Sequence, residues 1–175
     1  VATKPGEPLP AGVDTWLNLP SVSVPTNATR NNYFLSFDHW FHLDSAEAGA
    51  WLEYRVSGGS WKWVATDGGY PSYIDQTDIE VNGAPSGNLP VFTGSTHSGW
   101  QSETLNLSTF FSSPSLNSVS SIDFRFRVWT SNSSGAFPGW FIDDVNYRNA
   151  GNGQGVWHHG CDVNGTSYQN YNTYC

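Results

Sequence analysis

Two carboxylates, Asp143 and Asp144, stand side by side inside the apolar stretch GWFIDDVNY (139–147). An unpaired carboxylate is expensive to bury, so each needs water, a hydrogen-bond donor, a cation or a metal. Ca²⁺ suits such residues, because it takes about six to eight oxygens from carboxylates, carbonyls and water. Further acids for such a shell are Asp38 in SFDHW and Asp44 and Glu47 in the turn DSAEAGA. Asp67, Asp75, Asp78 and Glu80 form a second acidic stretch, able to wrap another ion or to solvate a loop. The competing reading is structural: Asp143 or Asp144 pairs with Arg125 or Arg127, or caps a turn. No EF-hand loop is present, so spacing alone does not decide between them. Regular alternation puts Asp143 and Asp144 on opposite faces of a strand, which makes them a poor acid/base dyad.

Other reactive residue types are present without the patterns that activate them. His39 and His42, three apart in a strand, face opposite sides and do not share one ion without distortion. HHGC (158–161) lacks the second pair of ligands of a zinc site. No GxSxG elbow, HExxH or Cys-His signature occurs. The chain is therefore expected to be non-catalytic. Cys161 and Cys175 are expected to form a disulfide, worth roughly 3 kcal/mol in the chain-entropy model. Among nine Trp, most are expected to fill a thin core. Trp129 is the exception, because it falls on the polar face of its strand and offers an indole on which a sugar ring can stack.

The composition around these residues is typical of extracellular β-proteins. Only 13 % of the residues are charged, so Ser, Thr and Asn must supply the polar surface. Four sequons begin at Asn27, Asn106, Asn132 and Asn164; they permit glycosylation, though a chain so rich in Asn, Ser and Thr makes such triplets by chance. A net charge of −8 argues against nucleic acid and against anionic lipid. No apolar run approaches the roughly 20 residues that span a bilayer. The chain starts at Val and carries no Met, and is read as a processed or excised mature segment.

The patterning is that of strands. YFLSFDHWFHL (33–43) is apolar on both faces, as a covered central strand would be. AWLEYRV alternates, SGGS signals a hairpin, and WKWVAT returns. In SIDFRFRVWTS, Ile122, Phe124, Phe126 and Val128 point one way and Asp123, Arg125, Arg127 and Trp129 the other. Residues 67–100 read as a long surface excursion, a length that is usually functional or pinned. TLNLSTFF is the best short helical candidate. The expected architecture is an all-β, antiparallel two-sheet jelly-roll β-sandwich. Its expected limits are an extended leader over 1–15, the sandwich over 16–149, and a flexible linker with a polar, Tyr-rich tail over 150–175.

In this order, YFLSFDHWFHL, AGAWLEYRVSGGSWKWV, GWQSETLNLSTF, IDFRFRVWTS and GWFIDDVNY resemble the MAM-like jelly-roll modules of secreted bacterial and archaeal proteins. These include the cleaved-adhesin modules of gingipains and the accessory domain of immune inhibitor A-type peptidases. The resemblance implies a jelly roll that is usually non-catalytic, often holds structural Ca²⁺, and serves adhesion or ligand binding. The long excursion and the Cys-bearing tail depart from that pattern. The resulting expectation is a secreted or cell-surface recognition module whose partner is a cell-surface or matrix protein or a glycan. Two alternatives are a surface-layer or filament subunit self-associating through its termini, and an accessory domain of a larger secreted peptidase.

Overall fold

The computed structural model describes residues 7–24, 33–76, 79–96, 99–108, 119 and 121–148, and the backbone of 149 and 154–159. Eleven strands follow in order: β1 (Asp14–Asn18), β2 (Val22–Ser23), β3 (Tyr33–His42), β4 (Ala48–Val56), β5 (Lys62–Val64), β6 (Ser72–Asp75), β7 (Asn88–Val91), β8 (Gln101–Asn106), β9 (Ser121–Thr130), β10 (Gly139–Asn149) and β11 (Gln154–His159). One sheet has the order β1-β9-β4-β5, with β2 also on β9; the other has the order β11-β10-β3-β8. All pairings are antiparallel. The expected all-β antiparallel sandwich is thus present. Within the TLNLSTFF candidate, Thr104–Asn106 finish β8 and helical conformation is limited to Leu107 and Ser108 among the described residues.

Period-2 patterning explains the core. Leu35, Phe37 and Phe41 of β3 meet Ala50 and Leu52 of β4, Ile122, Phe124, Phe126 and Val128 of β9, and Trp140, Val145 and Tyr147 of β10. Each fully buried side chain of this kind contributes about 1.5–3 kcal/mol relative to exposure. The inward set of β9 is the one its alternation predicts. The SGGS hairpin forms as read, with Ser57 and Gly58 at positive φ.

The 67–100 excursion folds into a β6-β7 hairpin rather than a bare loop. It covers the outer face of β4, where Trp51, Ile74, Ile79, Val81, Leu89 and Val91 form a second apolar cluster. Gly49 of β4 makes this contact possible: a Cβ there would lie 2.9 Å from Val91 Cγ2 and 3.0 Å from Ile74 Cδ1. Near the chain ends, β1 begins inside the stretch read as a leader, Leu9 bridges Phe137, and β11 lies on β10.

Candidate functional site

At one end of the sandwich a polar cavity of about 600 Å³ is lined by Gly12, Glu47, Trp129, Thr130, Ser131, Asn132 and Ser133. Three segments build it: the approach to β1, the β3–β4 turn, and the loop after β9. Ser131 ties them together. Its N–H donates to the Glu47 carbonyl at 2.7 Å, and its carbonyl accepts the Gly12 N–H at 2.9 Å. Its hydroxyl donates to the Glu47 carboxylate and accepts the Ser133 N–H at 3.0 Å. Thr130 fixes the first segment, accepting the Val13 N–H at 2.8 Å and donating to the Pro10 carbonyl at 3.0 Å. Trp129 is half-buried, with one side against the second apolar cluster. The cavity therefore offers a carboxylate, hydroxyls and the exposed Asn132 amide, with Trp129 at its wall. Such groups can hydrogen-bond a polar ligand beside an aromatic residue.

Asp44 and Glu47 belong to this corner. Asp44 accepts the Gly135 N–H at 3.0 Å and the Ala46 N–H at 3.4 Å. Asp38 and Asp143 lie elsewhere, as direct register partners on β3 and β10. Asp38 also accepts the Ser102 hydroxyl at 2.6 Å.

The Asp143-Asp144 pair departs from the expected opposite faces. The register slips between Asp143 and Asn146, and Asp144 has φ of +47°. This is a β-bulge with its extra residue in the left-handed region. Its effect follows from the inward set Trp140, Ile142, Val145 and Tyr147. Without the extra residue, alternation would send Asp144 into the core after Ile142. With it, Val145 takes that place and both aspartates are exposed. Neither pairs with Arg125 or Arg127, which lie on the outer face of the other sheet.

Among the described residues no three His, Cys, Asp or Glu side chains come together to hold a metal. Asp38 and Asp143 supply two carboxylates, so any shell of about six to eight oxygens there would rest mainly on carbonyls and water. In the other acidic stretch, Asp67 accepts the Asn106 N–H at 3.0 Å, Asp75 and Glu80 are exposed, and Asp78 lies outside the described residues.

Of the sequons, Asn132 is exposed on a turn at the cavity, and Asn106 accepts the Ser108 N–H at 2.9 Å. Asn27, Asn164, Cys161 and Cys175 lie outside the described residues, and His158 and His159 are described only as backbone of β11.

Two further buried polar constellations are present among the described residues. Glu53 is 1 % exposed on the outer face of β4. Its carboxylate accepts Trp51 Nε1–H at 2.9 Å, Arg127 Nη1–H at 3.0 Å and Arg125 Nε–H at 2.5 Å. The Arg125 guanidinium lies between the rings of Trp16 and Trp61, 4.7 and 4.4 Å from their centroids. Arg127 forks onto Asp14 at 2.8 and 2.7 Å. The signal was available, since alternation puts Glu53 opposite Leu52 and Tyr54. In the core, His39 accepts the Trp140 indole N–H on Nδ1 at 3.0 Å, which leaves the proton on Nε2. Nε2 has no hydrogen-bond partner and lies 4.0 Å from Glu103 Oε1. Burial pulls the His39 pKa down to about 4, against the opposing pull of Asp38. Burial raises that of Glu103, with Thr66 opposing and Asp67 adding to the rise.

No family model matches the chain, and no curated protein matches it.

Proposed function

We propose that the chain is a secreted or cell-surface, non-catalytic sandwich module of the MAM-like jelly-roll kind that recognises a glycan in the cavity beside Trp129. The observation that carries this reading is the half-buried indole beside Glu47, Ser131 and Asn132 in one polar cavity. An indole takes the C–H face of a sugar, while carboxylate, amide and hydroxyl groups take its hydroxyls. The net charge of −8 favours a neutral glycan over a sialylated or sulfated one. The glycan would be borne by a cell surface or matrix. Structural Ca²⁺ is part of the proposal, at the Asp38–Asp143 pair. Pairing of β1 with β9 and of β11 with β10 in the same chain supports a self-contained module over a subunit joined through its termini. A glycan array probed with the wild type and Trp129→Ala tests the reading. Neutral glycans should be retained by the first and lost by the second; an array without hits would remove it.

A further inference from the structure

Away from the Trp129 cavity, the outer face of the β11-β10-β3-β8 sheet carries a run of rings that ends against two acids. Trp40 and Phe141 are register partners with ring centroids 5.5 Å apart. Trp40 also meets His42 at 6.4 Å, and His42 meets Phe137 at 5.2 Å. All four side chains are half-buried. Beside them opens a mainly apolar cavity of about 380 Å³, walled by Pro8, Phe137, Pro138 and Phe141, with Glu7 at its side. The next outward row along the two strands is Asp38 and Asp143. Like charges directly opposite each other on a strand pair oppose folding. Among the described residues no Lys or Arg pairs with either acid. Arg148, the cation of this face on β10, lies instead over Phe34, 5.8 Å from its ring centroid.

We infer that this face docks an extended basic peptide segment, a partner distinct from the glycan. An Arg or Lys side chain would lie over Trp40 and Phe141 with its charge at Asp38 and Asp143, in place of the Ca²⁺ proposed at that pair, so the two cations compete and excess Ca²⁺ should weaken peptide binding. A neighbouring apolar side chain would enter the groove of Pro8, Phe137 and Pro138. The chemistry is complementary at each point. Aromatic faces attract a guanidinium or ammonium group, and carboxylates receive its N–H groups. Successive outward rows lie about 7 Å apart, within reach of an Arg stem. The net charge of −8 adds long-range attraction for a basic segment.

The test uses the full chain with a fluorescent synthetic peptide of alternating Arg and Leu, and a counterpart with Glu for Arg. The Arg peptide should bind and the Glu peptide should not, and binding should weaken as salt rises. An Asp38→Asn, Asp143→Asn double variant should lose roughly tenfold in affinity, as two surface charge contacts predict. Trp40→Ala should weaken binding as well, and Trp129→Ala should leave it unchanged. Equal binding of both peptides, or an unchanged affinity in the double variant with its melting transition intact, would overturn the inference. Ca²⁺ binding that needs both acids, in a chain that takes no basic peptide, would overturn it too. Because the double variant leaves the Trp129 cavity untouched, glycan binding that persists in it separates this failure from failure of the glycan reading.

Discussion

Asp144 donates its backbone N–H to Oδ1 of Asp143 at 2.9 Å, at the residue where β10 enters the left-handed region with φ of +47°. The first aspartate caps the bulge that the second one forms. Asp tolerates this conformation better than most residues, and a β-branched one tolerates it poorly. Asp144→Val is expected to cost about 1–2 kcal/mol and Asp144→Gly to be neutral or stabilising by up to ~1 kcal/mol. Asp143→Ala should cost about 1 kcal/mol through the lost cap. Deletion of Asp144 should still fold, because Val145 then faces inward by plain alternation. Urea unfolding midpoints of the four variants check this set.

His39 makes the core sensitive to acid. Its folded pKa, about 4, lies below the unfolded value of about 6.5, so the unfolded chain binds the extra proton between them. Its contribution is fully present above about pH 6.5 and is lost as pH falls toward 4, amounting to about 3 kcal/mol. Glu103 works with the opposite sign. Its raised pKa gives a contribution present below its unfolded value and lost as pH rises through the folded one. Melting temperature against pH should therefore fall from pH 7 to 5 in the wild type. In a folded His39→Phe variant that fall should flatten; an equally steep curve would contradict the assignment.

Glu53 holds two arginines on a covered sheet face. Removing one partner of a buried pair leaves charge uncompensated, so Glu53→Gln should cost about 3–5 kcal/mol in chemical unfolding. The Arg127–Asp14 fork is more exposed on its acidic side, and Asp14→Asn should cost no more than about 1 kcal/mol. A Glu53→Gln cost below that of Asp14→Asn would refute this ranking.

Strand β9 was legible in the sequence because its alternation is unbroken and each inward position is apolar. The bulge in β10 was not, because an inserted residue leaves no mark in local composition; two exposed aspartates read the same as one in and one out. The excursion looked unstructured because β6 and β7 are short and bury Ile74, Leu89 and Val91 against Trp51 and Gly49, partners far away in sequence. Trp129 is legible because it breaks the polar face of β9, whereas Glu47 in its turn reads only as a metal ligand. Their common cavity depends on Ser131, which carried no signal of its own.

Calcium is proposed at Asp38 and Asp143, register partners that bring two negative charges together. Binding to the native state alone raises stability by RT ln(1 + [L]/Kd), about 2.7 kcal/mol at a hundredfold excess over Kd. A thermal melt with Ca²⁺ should lie above one with EDTA, and Asp143→Asn should close the gap. Coincident melts of the wild type would count against the ion.

The most direct measurement of the central claim is a calorimetric titration of a neutral oligosaccharide into the wild type, Trp129→Ala and Glu47→Gln. The account predicts saturable binding to the wild type, loss of binding in Trp129→Ala, and weakened binding in Glu47→Gln, with all three proteins folded. Undiminished binding in Trp129→Ala, or none to the wild type across a panel of neutral sugars, would contradict it.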